Sequence, residues 1–129
     1  MIMPTTLTET PRDLAFILSE ANRHLSRDVL TIKSGSGKVF AGTILGKVTA
    51  DGKYVPSPAA STTGKEGAET ASAILGYEVD ATSADVQAVC ITNNAEVKKP
   101  MLIFETTVND ETKKAAKLTQ LRSATIKAR

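Results

Sequence analysis

The chain is poor in the residue types that carry most protein chemistry. In 129 residues it has no tryptophan, two tyrosines, three phenylalanines, one histidine and one cysteine. A single cysteine excludes an internal disulfide, and with His24 as the sole histidine a Cys/His zinc set lacks ligands. Five scattered aromatics, Phe16, Phe40, Tyr54, Tyr77 and Phe104, show no run of stacking platforms for single-stranded nucleic acid. Charge of one sign is also lacking. Sixteen Lys and Arg against fourteen Asp and Glu leave +2, too little to predict a nucleic-acid or membrane partner. The basic residues of the last third, among them Lys98, Lys99, Lys113, Lys114, Lys117 and Arg122, read as a solvated face. No apolar run approaches the ~20 residues of a membrane span. The opening MIMPTTLTETPRD lacks the basic and apolar regions of a signal peptide, so cytoplasmic synthesis is expected.

What the chain does have begins with a glycine-dotted run, KSGSGKVFAGTILGKV, over residues 33–48. A phosphate loop needs G-x-x-x-x-G-K-[ST], since backbone N–H groups cradle phosphate and the hydroxyl holds magnesium. Counting back from Gly37-Lys38 puts Ile32 and Val39 at the required positions, and from Gly46-Lys47 Ala41 and Val48. The dinucleotide pattern fails at Phe40. The residues after each Gly-Lys pair are β-branched with period two, not the helix whose N-terminus would face a phosphate. These glycines shape a sheet.

Strands are expected at 29–34, 43–49, 53–57, 72–80, 84–93 and 100–106, giving a β-rich region over 27–108. GSG at 35–37 is a turn, and Asp51-Gly52 between strands predicts a type I′ hairpin with both residues at positive φ. Gly42 and Gly46 fall on one face, where a neighbouring backbone approaches or the strand bulges. Residues 56–70 form a long polar loop of small residues, the kind that marks a functional or mobile surface. Asn109 or Asp110 caps a helix over 109–123, with Ala115, Leu118 and Leu121 as a narrow apolar stripe, followed by a short tail. Leu14, Ile17, Leu18, Ala21 and Leu25 have helical spacing, with Thr10 and Pro11 suited to a helix start. Phe16, Ile17 and Leu18 also suit a strand, and the reading adopted for 14–20 is extended. Residues 1–13 form a Thr- and Pro-rich flexible arm, and 14–129 a single domain.

No catalytic set is visible. A Cys90–His24 pair is arithmetically possible, but Cys90 sits mid-strand beside Val89 and Ile91, where apolar burial makes a thiol inert. Glu78, Asp80 and Asp85 read as turn chemistry. No enzyme, cofactor or metal is expected.

Three blocks taken together carry a resemblance: FILSEANRHLSRDVLTI, AGTILGKVTADGKYVPSPAAS and AILGYEVDATSADVQAVCITNNAEV, with DETKKAA at 110–116. In this order and spacing they resemble the lambda-type phage head decoration proteins, across residues 16 to about 122. The resemblance implies a compact, mainly β (α+β) fold of β-clip type with a C-terminal helix. It implies a homotrimer on the outside of the expanded head, bound to the major capsid protein and stabilising the shell against packaged DNA. In such a virion protein the arm, with Pro4, Thr5, Thr6, Leu7, Thr8 and Thr10, would bind the shell; Leu7 is its apolar anchor. No membrane or direct nucleic-acid contact is expected. The alternative is a small β-barrel binding single-stranded nucleic acid.

Overall fold

A computed structural model of the chain describes residues 9–129, without the side chains of Arg23 and His24. Among these residues the architecture is ten short strands and one long helix, the mainly β class expected. Strands β1 (Ile17–Glu20), β9 (Ala95–Val97) and β10 (Ile126–Ala128) form one sheet, with β1 antiparallel and β10 parallel to the central β9. Five strands close a barrel in the order β2 (Arg27–Ile32), β5 (Tyr54–Pro56), β4 (Ile44–Lys47), β6 (Ala71–Leu75), β8 (Val86–Ile91). β3 (Gly37–Val39) and β7 (Val79–Ala81) pair as a ribbon. A single helical turn, α1 (Arg23–Ser26), precedes β2, and α2 (Glu111–Ser123) precedes β10.

Within the barrel, β4 and β6 bury successive residues on both faces, which suits their nearly continuous apolar runs, while β2 keeps Asp28 and Val29 exposed. Ile44, Ile74 and Ile91 pack with Phe16 just before β1, Val97 of β9, Leu121 of α2 and Ile126 of β10. Their neighbours Leu45, Leu75 and Cys90 pack with Ile32, Val39 and Val79 on the ribbon side. Each fully buried Leu or Ile contributes roughly 1.5–3 kcal/mol. The core therefore closes on aliphatic side chains, with Phe16 as its one fully buried aromatic. The glycines do as expected: a Cβ on Gly46 would lie 1.9 Å from Ala68 O, and one on Gly42 2.7 Å from Met101 O.

Several elements differ from expectation. The strand expected over 100–106 is a 3-10 turn at Lys99–Met101, then extended chain with one bridge, Thr43 to Ile103. Pro100 fixes φ and offers no N–H, which suits the first positions of that turn. The run 72–80 splits into β6 and β7 because Gly76 turns the chain, its N–H donating to Val89 O at 3.0 Å. The 51–52 hairpin is not type I′, since Gly52 alone takes positive φ. Asp51 accepts from Lys53 N at 3.0 Å, an Asx turn in a wider loop closed by Gly52 N to Val48 O at 2.9 Å. Residues 14–20 are extended only from Ile17; residues 13–16 form a turn. The turn expected at 35–37 ends sooner, with β3 starting at Gly37, and the tail supplies β10.

Candidate functional site

The side chains that might have carried chemistry are placed structurally. Cys90 is fully buried, and desolvation pushes its thiol up to about 12. His24's side chain lies outside the described residues; a protonated, enclosed thiol gives it nothing to activate. Asp80 accepts from Thr82 N at 3.0 Å, and Asp85 accepts from Ser34 N at 2.8 Å while pairing with Lys53 at 2.6 Å. Those bonds hold both carboxyls below their ordinary range: for Asp80 mainly the Thr82 hydroxyl, for Asp85 mainly Lys53. Glu78 lies 3.7 Å from Lys38. The three acids serve turns and loop ties.

Of the arm residues, Pro4, Thr5, Thr6, Leu7 and Thr8 lie outside the described residues, and Thr10 is exposed and in no regular element. Among the described residues, the first bond to the body of the fold is at Leu14, whose N–H donates to Gly76 O at 2.7 Å from the left-handed region, φ 56°. Lys98 N then donates to Phe16 O at 2.7 Å, and β1 pairs along β9. The turn into β2 is clamped by Glu20, which accepts from Ser26 Oγ at 2.7 Å and from Arg27 Nε at 3.1 Å. This corner exposes Leu18, Leu25 and Val29, at 48%, 61% and 64%.

Helix α2 is capped by Asp110, which accepts from Lys113 N at 2.8 Å. Its apolar stripe is divided: Leu121 is buried, Leu118 half-buried and Ala115 exposed. Lys117, expected on the solvated face, is instead 2% exposed. It lies one turn before Leu121 and so shares the core-facing side. Its Nζ donates to Ser57 Oγ at 2.9 Å, to Pro58 O at 2.6 Å and to Glu69 O. Burial lowers its pKa, opposed in part by Glu69 and Glu105. One ammonium thus ties both ends of the polar loop to the helix.

The outward flank of α2 borders a groove of about 370 Å³, floored by Leu102, Phe104, Ala115 and Leu118. At Leu118 it meets a smaller hollow beside Arg122, Lys127 and Ala128. Lys114 sits over the Phe104 ring, 5.7 Å from its centroid. This arrangement holds no reacting group. It offers contact surface.

The model of the bacteriophage lambda head decoration protein D family matches the chain over residues 6–126. The chain belongs to that family. Among curated proteins no significant match is found.

A head decoration protein is a structural part of a phage capsid, and the virion capsid is where the family places this one. Its working parts are therefore surfaces and the elements that hold them in shape. Seen as a decoration protein, the chain presents two such surfaces among the described residues: the apolar corner at 18–29 and the α2 groove. Sequence alone points to the arm and gives no sign of the groove. The groove's floor comes from residues near 102 and 118, and nothing local signals that they meet.

Proposed function

We propose that this decoration protein binds the outside of the expanded head as a homotrimer and braces the shell against the pressure of packaged DNA. The observation that carries the reading is the family match from residue 6 to residue 126, which takes in nearly the whole described fold. The arm residues Pro4, Thr5, Thr6, Leu7, Thr8 and Thr10 add main-chain pairing to a strand edge of the major capsid protein, a mode that needs little side-chain information. Leu18, Leu25 and Val29 give copies of the chain an apolar surface to cover on association. Three linked copies make each weak shell contact count through effective concentration.

The closed barrel gives the single-stranded nucleic-acid reading an architecture. Its aromatics argue against it: Phe16 is buried, Phe104 lies under Lys114, and Phe40, Tyr54 and Tyr77 are each half-buried on separate elements.

The test is to mix purified protein with expanded and unexpanded empty heads and sediment. Binding confined to expanded heads, with a trimer by light scattering free or bound, is the expected result. Removal of residues 1–12 should leave folding and trimerisation intact and weaken head binding at least about tenfold, about 1.4 kcal/mol per site. Undiminished sedimentation of the truncated protein would refute the arm's role.

A further inference from the structure

The cations lining the α2 groove differ from most of the other described cations. Arg12, Arg27, Lys33, Lys38, Lys53, Lys113 and Arg129 each have a carboxylate within 4.0 Å, while Lys47, Lys65, Lys98 and Lys117 do not among the described residues. Lys99, Lys114, Arg122 and Lys127, which rim the groove and its continuation past Leu118, have none within 4.0 Å among the described residues. Glu111 is the acid on this rim. The result is an apolar trough edged by four cations against one carboxylate. Solvated lysines scattered over a surface need no explanation. Four unpaired cations bordering a half-exposed apolar floor present a specific chemistry, because an apolar side chain can enter while carboxylates meet the edges.

We propose that the α2 groove docks an acidic segment of the shell's capsid protein, one that alternates apolar and carboxylate side chains. The inference rests on the capsid-binding reading above and names a second attachment, separate from the arm. Charge complementarity selects this occupant over the chain's own arm, since residues 1–13 contain two acids, Glu9 and Asp13, offset in part by Arg12. A cationic edge would suit phosphates as well, so the case against nucleic acid rests on stacking: Phe104 is the one aromatic lining the groove, and Lys114 lies over one of its faces.

Three proteins test this: wild type, a groove variant with Lys99, Lys114, Arg122 and Lys127 each changed to Gln, and a control with Lys38, Lys47, Lys65 and Lys113 changed to Gln. The control loses the same charge away from the groove lining. A fourth protein, Ala115→Trp, fills the trough without altering charge, from an exposed helical position. Thermal melts establish that each is folded. Sedimentation with expanded heads should show the groove variant weakened about tenfold or more at low salt, with the gap narrowing as salt screens the rim. Ala115→Trp should weaken binding at all salt concentrations, and the control should match wild type. Equal weakening of groove variant and control would reduce the effect to net charge and overturn the proposal, as would undiminished binding of the groove variant and Ala115→Trp. If light scattering shows that the groove variant loses self-association, the occupant is a second copy and the proposal is wrong. Retention of wild type, but not the groove variant, on immobilised oligothymidylate would assign the groove to nucleic acid and overturn it too. Failure of wild type to bind any head defeats the decoration reading itself, a result distinct from all of these, and the groove proposal falls with it.

Discussion

Replacing Lys117 by methionine removes the ammonium while keeping most of the side chain's length and volume. In the folded protein three acceptors lose their donor: Ser57 Oγ, Pro58 O and Glu69 O. Ser57 still donates to Ala68 O at 2.6 Å, but no other described donor reaches the two carbonyls. A buried acceptor left without a partner costs about 1–3 kcal/mol, so two give roughly 2–6 kcal/mol. Against this, Lys117→Met no longer buries a charge, which recovers part of a desolvation penalty of several kcal/mol per ion. The net expectation is a loss of about 3 kcal/mol, or roughly 10 °C in Tm for a domain of this size. Urea melts would measure it, with Lys113→Met on the exposed side of the same helix as control, expected within about 0.5 kcal/mol. Amides of residues 57–70 should exchange faster in Lys117→Met. The pH dependence gives an independent check. Burial lowers the Lys117 pKa in the folded chain, so on approach to the ordinary lysine value the unfolded chain holds the proton more tightly. The stability advantage of wild type over Lys117→Met should therefore grow as pH rises from about 7 toward 10. A Lys117→Met protein as stable as wild type would refute the claim that the ammonium ties the loop. An advantage that shrinks with rising pH would show that the folded protein favours the charged form.

Two other perturbations test the same structure. Cys90→Ala should cost about 1–2 kcal/mol, as for a small cavity, and leave head sedimentation unchanged, while wild-type Cys90 should resist alkylation at neutral pH until the protein is unfolded; rapid labelling of native protein would contradict its burial. Glu20→Gln removes the charge from the clamp on Ser26 and Arg27 and should destabilise by about 1–3 kcal/mol in urea melts, and an unchanged midpoint would mean that the β1–β2 corner is held by strand pairing alone.

Much of the fold was legible because its signals are local. The alternation in 84–93 gives β8, and Asp110 with the Lys, Ala and Leu residues after it gives α2. What failed required knowledge of partners. The period of Leu14, Ile17, Leu18 and Leu25 is helical; the extended reading adopted for 14–20 holds from Ile17, where 17–20 pair with β9, and fails at 14–16, which form a turn. Strand β10 has three residues and exists because β9 offers it an edge. Among the surfaces, the arm could be named from composition and resemblance, but the α2 groove depends on the 99–104 segment crossing beside a helix it meets only in three dimensions.

Helix α2 shows why a stripe on a helical wheel is a weak guide to which side faces in. Ala115, Leu118 and Leu121 suggested an inward stripe, with Lys114, Lys117 and Arg122 solvated. Spacing by four gives a different division. Lys117 and Leu121 form the buried pair, while Lys114, Leu118 and Arg122 run along the groove. The helix is thus seated by Leu121, by Leu118 packed in part against the same core, by Gln120 Oε1 accepting from Ala71 N at 2.8 Å, and by an ammonium bonded to backbone carbonyls, instead of by a broad apolar face. That seating leaves Ala115 and the open side of Leu118 to the groove. Where a helix docked by an apolar stripe has little left to offer a partner, one docked through Lys117 keeps an apolar floor and a cationic edge open on its far flank.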